Sequence, residues 1–166
     1  MPSLALLSIA DVEIDRHNAE MIEDRLNHLR RVIADGQTAL AVDAALDPIA
    51  SAANPETIKP LLLMLNDDSD DDGMWSIVHA AEQFDDHVYI SSFVAALPFL
   101  NIASARWASI VMMRVLNSDA AKSELVRQLR SAPEDARKVA TIICERINTA
   151  DPRFLAKTTA ILIAAK

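Results

Sequence analysis

An all-α fold is predicted by three observations on the sequence. Only two of the 166 residues are glycine and seven are proline. Those are too few for the turns of an all-β sandwich or the phosphate loops of a nucleotide-binding α/β fold. Aromatic residues make up 4% of the chain and hydrophobic residues 51%, with Ala, Leu and Ile abundant. Helix-start signals also recur: Asn54, Asp86 and Ser118 are spaced by 32 residues, and Asp151 falls within one residue of the same period. A fixed period of this length is the mark of stacked helical hairpins.

The elements follow in order. Helices are expected near 11–34 and 37–52, where Leu26, Leu29, Ile33 and Leu46 form a weaker first unit. Asn54-Pro55-Glu56 opens a helix over 55–66, since Asn caps a helix and Pro fits its first position. There Ile58, Leu61, Leu62 and Leu65 share one face. The next helix, 73–84, carries Trp75, Val78 and Ala81 at helical spacing. A helix over 86–97 is expected to end or kink at Pro98, which lacks the amide that the ladder needs. Trp107, Ile110, Val111 and Val115 define a helix over 104–117, followed by one over 119–131. Pro133, Glu134 and Asp135 open the helix 133–148, with acids suited to the helix dipole. A last single helix, 152–165, caps the chain.

The period holds in several columns. Leu65, Leu97, Leu129 and Ile161 form one, and Leu61, Phe93 and Leu125 another, broken by Lys157 in the last unit. Trp75 aligns with Trp107, and Val78 with Ile110 and Ile142. Short links make successive helices antiparallel. The expected architecture is a right-handed, HEAT-like α-solenoid over residues 1–166 as a single domain. It has roughly four units of about 32 residues plus the capping helix. An irregular helical bundle is the alternative.

Charge is unevenly spread. The chain carries 24 acidic and 16 basic residues, a net charge of −8. Between Pro60 and Ala105 there is no Lys or Arg, but there are Asp67, Asp68, Asp70, Asp71, Asp72, Glu82, Asp85 and Asp86. These eight acids equal the whole net charge. Such a chain repels nucleic acid and anionic membrane and favours a basic protein partner. The aspartate run must lie in solvent. It reads either as a solvated turn with helix-capping acids or as an acidic contact surface that steers a cationic partner. In the second reading the contact residues are the five aspartates together with Trp75, His79, Glu82, Asp85 and Asp86. Removing one crowded carboxylate, as in Asp70→Ala, is expected to leave stability unchanged or slightly improved.

Chemical motifs are sparse. Asp68, Asp70, Asp72 and Gly73 match the opening of an EF-hand loop, but its twelfth position is His79 where a bidentate Glu is required. His17, His28, His79 and His87 form no zinc-ligand spacing, and Cys144 sits in the apolar run Ile142-Ile143-Cys144. No Walker, Rossmann or nucleophile-elbow pattern is present. No catalytic residue, metal ligand or cofactor is therefore expected. Trp75 and His79 share a helix face, with His79 expected to pair locally with Glu82. The apolar run Leu4 to Ala10 lacks preceding basic residues and makes a poor signal peptide, and no 18-residue apolar stretch exists. A cytoplasmic protein is expected.

Several segments carry a family resemblance. Ile58-Lys59-Pro60-Leu61-Leu62-Leu63, Met74-Trp75-Ser76-Ile77-Val78-His79, Glu82 and Phe84 resemble the immunity protein 30 family. So do Ala95-Ala96-Leu97-Pro98, Ala105-Arg106-Trp107-Ala108 and Arg114-Val115-Leu116-Asn117. The resemblance covers roughly residues 54 to 131. It implies a small helical protein encoded beside a bacterial polymorphic toxin, as in contact-dependent growth inhibition, that binds and neutralises a cognate toxin domain. It implies no catalytic residue. An acidic loop and adjacent helix could fill the basic substrate cleft of a nuclease toxin, an inference from charge alone. A helical-repeat scaffold or adaptor is the alternative function.

Overall fold

The computed structural model describes residues 9–166. Most of the apolar run Leu4 to Ala10 lies outside them. In chain order the helices are α1 (Ile9–Ala34), α2 (Ala39–Ala52), α3 (Ile58–Leu63), α4 (Asp71–Ala81), α5 (Asp86–Ala103), α6 (Ala105–Asn117), α7 (Asp119–Leu129), α8 (Glu134–Ala150) and α9 (Leu155–Ala164). Short 3-10 turns, Pro55–Thr57 and Pro152–Phe154, lead into α3 and α9. Among the described residues there is no strand.

Three of the four recurring start signals, Asn54, Ser118 and Asp151, act as caps; at the second, the cap is Asp85 and the expected Asp86 is the first residue of α5. The side chains of Asn54, Asp85, Ser118 and Asp151 each accept a backbone N–H one turn on, from Glu56, Val88, Ala121 and Arg153 respectively. Each satisfies a donor that the helix end leaves open. At the other end of α1, Gly36 has φ +64°, and the Gly36 and Gln37 amides donate back to Ile33 and Val32. This is a Schellman closure, and the left-handed position suits glycine.

Two expectations are corrected here. The helix at Asp86 does not end at Pro98 but runs on to Ala103. Leu97 and Leu100, on either side of the proline, are both fully buried. Burying them offsets the ladder bond that proline removes, about 3 kcal/mol. The Val78–Ile110–Ile142 column also decays: Val78 is buried, Ile110 half-buried and Ile142 exposed. Val111 and Ile143 are buried in their place. The inward face of α6 and α8 has thus moved on by one residue.

The other columns stay inside. Leu65, Leu97, Leu129 and Ile161 are buried, as are Leu61, Phe93 and Leu125. Lys157, at the break in the second column, is half-buried, with its ammonium over the Phe154 ring and on Asn117 Oδ1. Helix contacts follow the alternation of the chain. α3 packs on α5, α5 on α7 and α7 on α9, while α2 packs on α4 and α6 on α8. Gly73, in the first turn of α4, lets that helix approach α2: a Cβ there would meet Val42 at 3.3 Å.

Candidate functional site

Only Asp67, Asp68 and Asp70 of the aspartate run lie in the link between α3 and α4, while Asp71 and Asp72 form the first turn of α4, and the fold uses three of the five carboxylates. Ser104 stands at the N-cap of α6, but its hydroxyl is turned inward and donates to the Leu65 carbonyl, two residues past the end of α3. Asp67 takes the vacated role. Its two carboxylate oxygens accept the backbone N–H groups of Arg106 and Trp107, each at 3.2 Å. A negative charge there also meets the positive end of the α6 dipole. Asp70 caps α4 by accepting the Asp72 amide at 2.8 Å. Asp71 forms a fork with the Arg106 guanidinium at 2.6 and 3.2 Å. That hydrogen bond holds the Asp71 carboxyl below the usual carboxylate range.

These roles change the expected effect of loop substitutions. Asp70→Ala should destabilise the protein, because it removes a cap, rather than leave stability unchanged or improved. Asp67→Ala should do the same at α6. Each loss should be about 0.5–2 kcal/mol. Urea unfolding checks this, and Asp67→Asn, which keeps an oxygen acceptor, should lose less than Asp67→Ala.

From Asp71 a strip runs down α4 through Trp75 and His79 to Glu82, all on one helix face. Trp75 is half-buried and meets the buried Trp107 edge-on, centroids 5.2 Å apart at 78°. Its ring stacks on exposed His79 at 6.0 Å, and the Arg114 guanidinium lies over it at 5.4 Å. Glu82 does not pair with His79. It receives both a 2.5 Å and a 2.7 Å hydrogen bond from Arg114. Trp75 with Trp107 and Glu82 with Arg114 are both pairs one 32-residue period apart. Equivalent positions of successive units therefore touch directly.

Asp85 and Asp86 lie beyond the far end of α4 from the aspartate run, about 16 Å along its eleven residues. Asp85 caps α5. The ten expected contact residues thus form a strip with two acidic ends, not one patch. Asp68, Asp72 and Asp86 are exposed, and their carboxylates make no hydrogen bond or ion pair among the described residues. Arg106 and Arg114 are not visible as site residues in the sequence, because both lie outside the base-free stretch. The 32-residue spacing of Glu82 and Arg114 was the one signal that could have found the second.

The EF-hand match dissolves in the same geometry. α4 starts at Asp71, so Asp72 and Gly73 stand in a regular helical turn where a calcium loop would place a ligand and the glycine of its sharp turn. Among the described residues no group of three His, Cys, Asp or Glu side chains is placed to hold a metal ion. Cys144 is buried, and its thiol is pushed up to about 12 by burial.

The family described as Immunity protein 30 matches the chain over residues 29–125, more than half of its length. The chain belongs to this family. Within the Immunity protein 30 match lie the end of α1, all of α2 to α6 and most of α7. It includes the whole α4–α6 strip and both of its acidic ends. The match reaches further towards the N-terminus than the resemblance around residues 54 to 131 and ends a few residues earlier. No match is found among curated proteins or among solved structures. No helix among the described residues is long and apolar enough to cross a membrane.

Proposed function

We propose that this protein is an immunity protein that binds and neutralises a cognate toxin domain by laying the α4–α6 strip against a basic surface. One observation carries the reading beyond family membership. Asp68, Asp72 and Asp86 are left free at the two ends of a strip whose centre is the half-buried Trp75 and the exposed His79. An aromatic anchor between unpaired charges is the usual make-up of an interface: the anchor supplies affinity and the charges steer approach. The carboxylates used inside the fold, Asp67, Asp70, Asp71, Glu82 and Asp85, position the strip instead of contacting the partner.

The rest of the reading concerns architecture and target. The helices form a right-handed, HEAT-like stack of hairpins in a single domain, supported by the buried 32-residue columns and the α3–α5–α7–α9 series of contacts. The target is a nuclease-like domain with a basic cleft, since that is what free carboxylates complement. The protein acts without catalysis or cofactor, in the cytoplasm of the toxin-producing cell, and has no nucleic-acid or membrane partner.

Co-expression with the toxin encoded by the adjacent gene should restore growth and give an isolable complex. Replacing Asp68 and Asp72 together by Asn, with Asp86 kept, should slow association several-fold at low salt, with a smaller change in dissociation. Parent and variant rates should converge as salt rises past physiological strength, where charges beyond ~8 Å are screened. Stopped-flow kinetics at two salt concentrations read this directly. An unchanged association rate without salt dependence would remove the acidic ends from the interface. An adjacent gene with no toxin domain would favour a helical adaptor instead.

A further inference from the structure

At the Asp86 end of the strip a cavity of about 210 Å³ opens between the α4–α5 and α6–α7 links, walled by Glu82, Asp86, Tyr89, Arg114, Val115 and Ser118. Its polar groups are unevenly satisfied. Glu82 and Arg114 neutralise each other through two hydrogen bonds, and Ser118 Oγ accepts the Ala121 amide. Asp86 has no partner, so the cavity carries one uncompensated negative charge. Tyr89 is 4% exposed, and its hydroxyl is buried without any hydrogen-bond partner. Burial, followed by the charge of Glu82, pushes the Tyr89 phenol above its ordinary value, so it stays a neutral hydroxyl. A buried, unpaired hydroxyl is costly and calls for a partner that supplies a hydrogen bond.

We infer that this cavity is a socket for one cationic side chain of the docked partner, a Lys or Arg on its aliphatic stem. The inference rests on the toxin-binding reading and specifies where that complex is anchored. A single cation satisfies both open groups at once: its charge compensates Asp86, and its N–H donates to the Tyr89 hydroxyl. Val115 lies against the stem. The volume holds one such side chain and little more. Arg114, held by Glu82 on the cavity wall, is the inward-facing edge of the socket and keeps that acid from competing for the incoming charge.

The test uses the full chain, labelled for amide NMR, titrated with n-butylammonium, n-butylguanidinium and n-butanol. Saturable millimolar shifts at the Tyr89, Val115 and Ser118 amides are expected with a cation and not with the alcohol. The stronger of the two cations identifies lysine or arginine as the occupant. Asp86→Asn, an exposed position, should weaken cation binding roughly tenfold, and Tyr89→Phe should weaken it while leaving the fold intact. With the cognate toxin, Asp86→Asn should raise Kd by about 30-fold or more, chiefly through faster dissociation. Equal shifts with butanol, or cation shifts that survive Asp86→Asn, would overturn the socket. A toxin complex whose dissociation ignores Asp86→Asn would also overturn it while leaving toxin binding in place. Intact cation binding with no toxin complex would instead remove the toxin as its occupant.

Discussion

Trp107→Ala should destabilise the protein by about 3–5 kcal/mol, the largest loss expected of any single substitution in the chain. Trp107 is the largest fully buried side chain among the described residues. It packs edge-on to Trp75, lies under the Arg106 guanidinium at 5.2 Å, and has its own amide held by Asp67. Truncation would leave a cavity where α6 meets α4. One feature moderates the milder change. The indole N–H of Trp107 is buried without a hydrogen-bond partner, a state that itself costs about 1–3 kcal/mol. Trp107→Phe removes that orphan donor together with part of the ring, so it should cost less than half as much as Trp107→Ala. Urea unfolding followed by circular dichroism measures both, and Trp75, the remaining tryptophan, reports local packing by fluorescence. A loss under about 1 kcal/mol for Trp107→Ala would contradict the packing of α6 against α4.

Leu97→Ala should cost about 2–5 kcal/mol. Leu97 is fully buried on α5, the helix that packs on α3, α6, α7 and α8. It is also one of the two buried residues that hold α5 helical across Pro98. A cavity there weakens both the packing and the helix, so the loss should lie in the upper half of the range. Ile142→Ala is the matched control, since Ile142 is 48% exposed and should change stability by no more than about 0.5 kcal/mol. A harmless Leu97→Ala, or a costly Ile142→Ala, would mean that the buried 32-residue column is misassigned.

Much of the fold was legible because its determinants are local or periodic. Asn54, Ser118 and Asp151 mark helix starts through hydrogen bonds to amides two or three residues away, which any sequence window contains, and at Asp86 the cap fell one residue earlier, on Asp85. Leu97, Leu129 and Ile161 repeat because each unit buries the same helix face against its neighbours, and Leu65 is buried with them although α3 ends at Leu63, short of the expected 55–66. The misreadings have equally specific causes. Pro98 has a strong local preference to end a helix, and only the burial of Leu97 and Leu100 overrides it. Ile142 fell on the right period but the wrong face, since a one-residue shift turns a helix by about 100°.

The acidic site divides along the same line. Composition and spacing by themselves determined that the negative charge gathers between Pro60 and Ala105 and that Trp75, His79 and Glu82 share a helix face. Which of those acids remain free was decided only by the tertiary structure. Asp67 meets the Arg106 and Trp107 amides because α6 begins beside the end of α3, and Asp71 and Glu82 are neutralised by Arg106 and Arg114, bases from the next unit. A carboxylate's availability depends on what the fold brings within about 3 Å of it, across separations of 32 to 40 residues here. Charge density is a property of sequence neighbours, but hydrogen bonding at that range is set by which helices pack side by side.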